Sequence, residues 1–125
     1  MEKEILVIED DEAVRKAFVM ALEGTGYHVT TVESGRKGLE KVAESDYGLI
    51  FLDLKMPKKD GVQTLRELRQ SGVKAPIYIV TGFYKEFIDA LENAESQGID
   101  FELLQKPVTE EQIRMVARNA FEKGN

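Results

Sequence analysis

Short apolar runs alternate with stretches whose apolar residues recur at helical spacing. Ile5-Leu6-Val7-Ile8, Tyr27 to Val32, Gly48 to Asp53, Ile77-Tyr78-Ile79-Val80 and Phe101 to Gln105 read as five strands. The third is nearly all apolar, as expected of a strand covered on both faces. Between the strands, Val14, Ala17, Phe18, Ala21 and Leu22 form one inward helix face, and Leu39, Val42 and Ala43 a second. Val62, Leu65 and Leu68 begin a third helix, and Phe87, Ile88, Leu91 and Ala94 mark a fourth. Ile113, Val116, Ala117, Ala120 and Phe121 form a fifth, opened by a Thr109/Gln112 capping box with a Val108–Ile113 staple. Gly24, Gly26, Gly72 and Gly98 stand where helices close, and Met56 to Gly61 reads as a loop. Strict alternation predicts an α/β fold: a doubly wound five-stranded parallel sheet with five helices.

The polar residues that follow the runs sharpen this. Glu9 and Asp10 follow the first strand, Asp53 ends the third, Thr81 follows the fourth and Lys106 the fifth. In an open parallel sheet the carboxyl ends of the strands share one edge, where ligands bind. That edge would gather three carboxylates, a hydroxyl and an ammonium. Two like charges ~4 Å apart repel by about 4 kcal/mol at an effective dielectric near 20. A divalent cation removes this cost, and an all-oxygen donor set favours Mg2+. A central Asp53 carboxylate can attack phosphorus, with Lys106 and Thr81 stabilising the phosphoryl oxygens. Gly82 leaves room for the group to enter. His28, on the second strand, lies away from this edge and is expected to be structural or on the surface.

Composition narrows the classes. The 125 residues, 42% hydrophobic and 32% charged, suit one soluble domain spanning residues 1–125. No run approaches the ~20 apolar residues of a membrane span. Cysteine is absent, and a cytoplasmic location is expected. A net charge of −6 without a basic run argues against direct nucleic-acid binding and membrane association.

The motifs Ile5-Leu6-Val7-Ile8-Glu9-Asp10-Asp11-Glu12, Leu52-Asp53-Leu54-Lys55-Met56-Pro57 with Asp60-Gly61, Val80-Thr81-Gly82 and Lys106-Pro107 occur in one order along the chain. In this respect the chain resembles the receiver domain of two-component response regulators over essentially its whole length. The resemblance implies a flavodoxin-like strand order 2-1-3-4-5 and a cis Lys106-Pro107 peptide. It implies Asp53 as phosphoacceptor, and Glu9, Asp10, Asp53 and the Lys55 carbonyl as the Mg2+ set. Thr81 and Lys106 become the switch hydroxyl and the phosphate-contacting lysine. It also implies a sensor histidine kinase or phosphotransfer protein as donor and a downstream output protein or domain as target. A homodimer formed on phosphorylation is within the family's range. Partner binding would switch through the face made by the fourth helix, fifth strand and fifth helix. Such a module is not an enzyme beyond self-phosphorylation and slow autodephosphorylation.

Three positions depart from the family pattern. Glu9-Asp10 stands where two aspartates are usual, Leu103 where an aromatic is usual, and the Gly98–Lys106 spacing is one residue longer. The shorter Asp10 is the expected direct metal ligand, and a smaller rearrangement is expected at Leu103. Lys55 and Phe83 are expected to obstruct an in-line water and prolong the phosphorylated state. Two rival readings stand beside this one. A phosphatase of the haloacid dehalogenase type shares the strand-end aspartate but places a second aspartate where Lys55 stands. A receiver that binds partners without phosphorylation is the other. The chain length leaves either a stand-alone receiver or one cut from a longer regulator or hybrid kinase.

Overall fold

The computed structural model describes residues 3–54, 61–82 and 84–122, without the side chains of Tyr84 and Glu86. Five strands, β1 (Glu4–Ile8), β2 (His28–Val32), β3 (Leu49–Asp53), β4 (Ile77–Thr81) and β5 (Glu102–Gln105), form one parallel sheet in the order β2-β1-β3-β4-β5. They alternate with helices α1 (Glu12–Ala21), α2 (Gly35–Glu44), α3 (Gly61–Gln70), α4 (Ile88–Ser96) and α5 (Glu110–Glu122). A 3-10 turn at Tyr84–Phe87 precedes α4. The alternation predicts the doubly wound parallel sheet, and the family resemblance implies this flavodoxin-like strand order.

The period of two along each strand divides the core. Leu6, Ile8, Ile50, Leu52, Ile77 and Ile79 point to one side, under Val62, Leu65 and Leu68 of α3 and Leu91 of α4. Ile5, Val7, Leu49, Phe51 and Val80 point to the other, under Phe18 and Ala21 of α1 and Ile113, Val116 and Ala117 of α5. Each fully buried aliphatic side chain contributes roughly 1.5–3 kcal/mol relative to exposure. All five residues of β3 are buried, as its unbroken apolar sequence predicts.

Two helix faces differ from the expected ones. Ala17 and Ala43 are exposed, not inward. On α2 the buried residues are Gly35 and Gly38. A Cβ on Gly38 would lie 2.4 Å from Ile8 Cδ1, and one on Gly35 2.1 Å from Thr64 Oγ1. The helix therefore sits close to β1 and α3 through its glycines, while Leu39 and Val42 pack at the flank of the core. The fifth strand differs too. It starts at Glu102, and Glu102, Leu103 and Gln105 are exposed, because β5 is one of the two edge strands of the sheet.

Local capping follows the sequence closely. Asp11 caps α1, its Oδ1 accepting from Ala13 N–H (2.8 Å) and Val14 N–H (3.3 Å). The Thr109/Gln112 box forms reciprocally: Thr109 N–H donates to Gln112 Oε1 (2.8 Å) and Gln112 N–H to Thr109 Oγ1 (3.1 Å). Gly72 (φ 99°) and Gly98 (φ 85°) turn the chain out of α3 and α4 in the left-handed region. His28 is largely exposed on β2, with Nδ1 2.7 Å from Glu4 Oε1. It stands away from the carboxylate edge, in the surface role expected of it.

Candidate functional site

β1 and β3 are neighbours in the sheet although α1, β2 and α2 separate them in sequence. The chain therefore leaves these two strands in opposite directions, which opens a crevice at their carboxyl ends. Glu9 and Asp10 enter it from β1 and Asp53 from β3. Carboxylate oxygens of all three lie within 4.8 Å of one another. Glu9 and Asp53 are buried and Asp10 is exposed.

Lys106 closes the group from the end of β5. Its Nζ lies 3.4 Å from Glu9 Oε1 and 3.6 Å from Asp53 Oδ1. One ammonium thus balances part of the charge of two buried carboxylates. Thr81 is buried at the end of β4. Its carbonyl accepts the Lys106 N–H at 3.0 Å, so the backbones of these two positions move together. The Lys106-Pro107 peptide is cis, as the family resemblance implies. Gly82 borders Lys106: a Cβ there would lie 3.7 Å from Lys106 Cβ, an ordinary contact.

Burial and the nearby Asp53 charge push the Glu9 carboxyl up to about 7, against the lowering effects of the Asp11 N–H and Lys106. The Asp11 N–H reaches Glu9 Oε2 at 3.2 Å. A buried acid of this kind is held in place without a settled charge, a state that a bound cation would resolve.

Three further residues shape the site and were not singled out for it in the sequence. Arg15 donates from Nη1 to the carbonyls of Glu9 (2.8 Å) and Asp10 (2.9 Å), pinning the loop that presents both carboxylates. Asp11 serves as helix cap and Glu12 opens α1, so the four consecutive acids Glu9 to Glu12 divide between the pocket and the helix start. Gly61 opens α3 instead of ending a loop. Its N–H donates to Leu54 O at 2.7 Å, and a Cβ there would lie 2.4 Å from Leu54 Cα and 2.5 Å from Asp53 O. Arg15 lies on the exposed side of the α1 pattern, five residues after Asp10, and only the folded loop shows its target. Lys55 and Phe83 fall outside the described residues, so the expected metal-ligating carbonyl and the water-obstructing pair have no structural counterpart to compare.

The site and fold define a class, and comparison with known proteins names it. The response regulator receiver domain model matches residues 5–118, and the chain belongs to that family, a component of two-component signalling. The response regulator receiver protein CpdR of Brucella abortus is 37% identical over 81 residues, 65% of this chain and 68% of that protein. The transcriptional regulatory protein ZraR of Klebsiella oxytoca is 31% identical over 117 residues, 94% of this chain and 26% of that protein. The alkaline phosphatase synthesis transcriptional regulatory protein PhoP of Bacillus subtilis is 37% identical over 87 residues, 70% of this chain and 36% of that protein. The chain thus spans about a third or less of the length of PhoP and ZraR. Among solved structures, chemotaxis response regulator CheY4 of Vibrio cholerae superimposes with a TM-score of 0.80 at 22% identity, covering 97% of this chain and all of that one. A CheY-like receiver domain protein from Methanospirillum hungatei gives 0.82 at 24% identity, over 99% of this chain and all of that one. At these identities the structures show the shared fold. Among the described residues, no helix is long and apolar enough to cross a membrane.

Proposed function

We propose that residues 1–125 form one receiver domain that accepts a phosphoryl group on Asp53 and switches partner binding in response. The single observation that carries this is the convergence of Glu9, Asp10, Asp53 and Lys106 at the β1/β3 crevice. Three all-oxygen donors packed this closely suit a hard divalent cation, so Mg2+ fits Glu9, Asp10 and Asp53, with the Lys55 carbonyl as the family's further ligand. When bound, Mg2+ would neutralise charge on the carboxylates and on the phosphoryl oxygens.

The chain's own residues then have distinct tasks. A carboxylate oxygen of Asp53 attacks the phosphorus of a phosphohistidine donor. The oxygen–phosphorus bond forms, the phosphorus–nitrogen bond breaks, and its electron pair stays on the departing imidazole. Lys106, already near Asp53, offers its ammonium to a phosphoryl oxygen. Thr81 offers its hydroxyl to another. Both residues root the elements that follow them, α4 and α5, so the α4–β5–α5 face is the natural output surface. The donor is a sensor histidine kinase or phosphotransfer protein and the target an output protein or domain, as is usual for the family. A cytoplasmic location accords with that role.

Labelling by a small phosphodonor such as acetyl phosphate, with and without Mg2+, tests the reading. Wild-type protein is expected to gain one acid-stable, hydroxylamine-labile phosphoryl group only with Mg2+, and Asp53→Asn none. Undiminished labelling of Asp53→Asn would overturn the assignment. Steady release of phosphate without a labelled intermediate would instead favour a phosphatase. In a metal titration, Asp10→Asn is expected to weaken Mg2+ binding more than Glu9→Gln, because Asp10 is the shorter and more exposed carboxylate.

A further inference from the structure

The acids of the crevice leave β1 on a short turn, and the carbonyls of that turn need donors. Three in succession, those of Glu9, Asp10 and Asp11, find them on one residue. Arg15 Nη1 donates to Glu9 O at 2.8 Å and to Asp10 O at 2.9 Å, and the Arg15 main-chain N–H donates to Asp11 O at 3.0 Å. The third of these bonds opens α1, while the first two reach back beyond the helix. Helical side chains lean toward the N-terminus, over the turn before their own, so Arg15 is placed to make them. Its base is firm. Asp11 caps the helix on Ala13 and Val14, and Arg15 sits half-buried one turn further on.

These bonds reach the carboxylates through the backbone. Fixing the direction of a carbonyl limits how its residue can turn about the chain, and with it where the side chain points. Glu9 has further restraints: its N–H donates to Val32 O at 3.0 Å, and its Oε1 lies 3.4 Å from Lys106 Nζ. Asp10 is exposed, so its carboxylate depends more on the backbone for its direction. The charge of Arg15 works the other way. A guanidinium beside a site for a divalent cation repels the cation. Arg15 therefore weakens cation binding by its charge and strengthens it only through geometry.

We propose that Arg15 is a positioning residue for the Mg2+ site, holding Glu9 and Asp10 in the directions that let both carboxylates meet one cation together with Asp53. It acts through two main-chain carbonyls and is not itself a ligand. The proposal rests on the reading of Glu9, Asp10 and Asp53 as an Mg2+ site. Geometry and charge pull the affinity in opposite directions, so the sign of the change on removing the guanidinium decides which role Arg15 has. Lysine is not an equivalent here. Its side chain is one bond shorter and lacks the planar fork that meets two carbonyls at once.

Titration of metal-free protein with Mg2+ alone, read from amide resonances, tests this in Arg15→Met, Arg15→Lys and Lys16→Met. Lys16 is the adjacent cation of α1, exposed and 3.7 Å from Glu12, and its loss removes the same charge. Arg15→Met is expected to bind Mg2+ about tenfold more weakly than wild type, the lower end of what losing the support of a metal ligand costs. Arg15→Lys should be several-fold weaker, and Lys16→Met should stay within about twofold of wild type. Labelling by acetyl phosphate should follow the metal: the deficit of Arg15→Met is expected to shrink as Mg2+ is raised. Unchanged or tighter binding in Arg15→Met, or a labelling deficit that Mg2+ does not relieve, would overturn the positioning role. If that variant does not fold, Arg15→Lys carries the test, and wild-type affinity there overturns the role. Wild-type protein that binds no Mg2+ would overturn the receiver reading instead. Positioning is then read without metal, from the amides of Glu9 and Asp11, which are bonded to Val32 O and Glu9 Oε2. They should exchange several-fold faster in Arg15→Met than in Lys16→Met, and equal exchange would overturn the role of Arg15.

Discussion

At the scale of single residues, Glu9 is the most informative. It occupies a position where an aspartate is usual, and the longer side chain lies buried beside Asp53 and Lys106. Its carboxyl, ordinarily near 4.5, is pushed up to about 7. In metal-free protein the folded state therefore holds a proton that the unfolded state has released between those values. The corresponding stability is fully present below pH 4.5 and is lost as pH rises through about 7. The shift corresponds to roughly 3 kcal/mol at full effect, as an order of magnitude. Urea unfolding in EDTA is expected to show wild-type stability falling across this window relative to Glu9→Gln, which cannot titrate. Parallel curves for the two proteins would show that Glu9 is not protonated in the fold. Added Mg2+ should reverse the loss above pH 7, because the cation binds the carboxylate form and not the acid.

At the scale of elements, the approach of α3 to the end of β3 sets where Asp53 sits. Gly61 permits it, and the atoms that a Cβ would meet are backbone, which cannot swing aside. Gly61→Ala is expected to destabilise the protein by more than ~2 kcal/mol, in the range of overpacked core sites, and to weaken Mg2+ binding as well. Gly72→Ala offers the comparison. It is open to solvent at φ 99° and should cost only about 1 kcal/mol, without touching the proposed Mg2+ site. Denaturant midpoints and Mg2+ titrations of the two variants measure this difference. Equal losses of stability with unchanged Mg2+ affinity would show that α3 can retreat without moving Asp53.

At the scale of the whole molecule, the proposed switch would carry a change at one sheet edge to a surface beyond it. The Thr81–Lys106 backbone hydrogen bond ties the ends of β4 and β5, from which α4 and α5 depart. Amide exchange with and without beryllofluoride is expected to change mainly in peptides covering residues 81–108. Changes confined to residues 12–45 would refute the output surface. Leu103 is 41% exposed where the family usually has an aromatic, while the nearest upstream aromatic, Phe101, packs against the core. No ring therefore stands at the usual position to turn inward. The rearrangement is expected to be smaller than in relatives that carry one, and Leu103→Tyr should enlarge it.

Much of this was legible along the chain because it is local. Strand and helix periods, the Asp53 position at the end of an all-apolar strand, the Thr109/Gln112 box and the order of motifs depend on neighbours a few residues apart. The parts that escaped depend on contacts between distant segments. Ala17 and Ala43 obey the helical period and still lie exposed, because α2 packs through Gly35 and Gly38, and α1 leaves an apolar groove against the start of α5. A glycine carries no hydrophobic signal, so a face built from glycines is silent to periodicity. The apolar run around Leu103 suggests burial, yet an outer strand has a neighbour on one side only. What the sequence alone determined is which residues could meet at the sheet edge. Tertiary structure decided how closely they meet, which of them are buried, and hence that Glu9 shares Lys106 with Asp53. Desolvation and ångström-scale separations arise only when strands distant in sequence become neighbours in space.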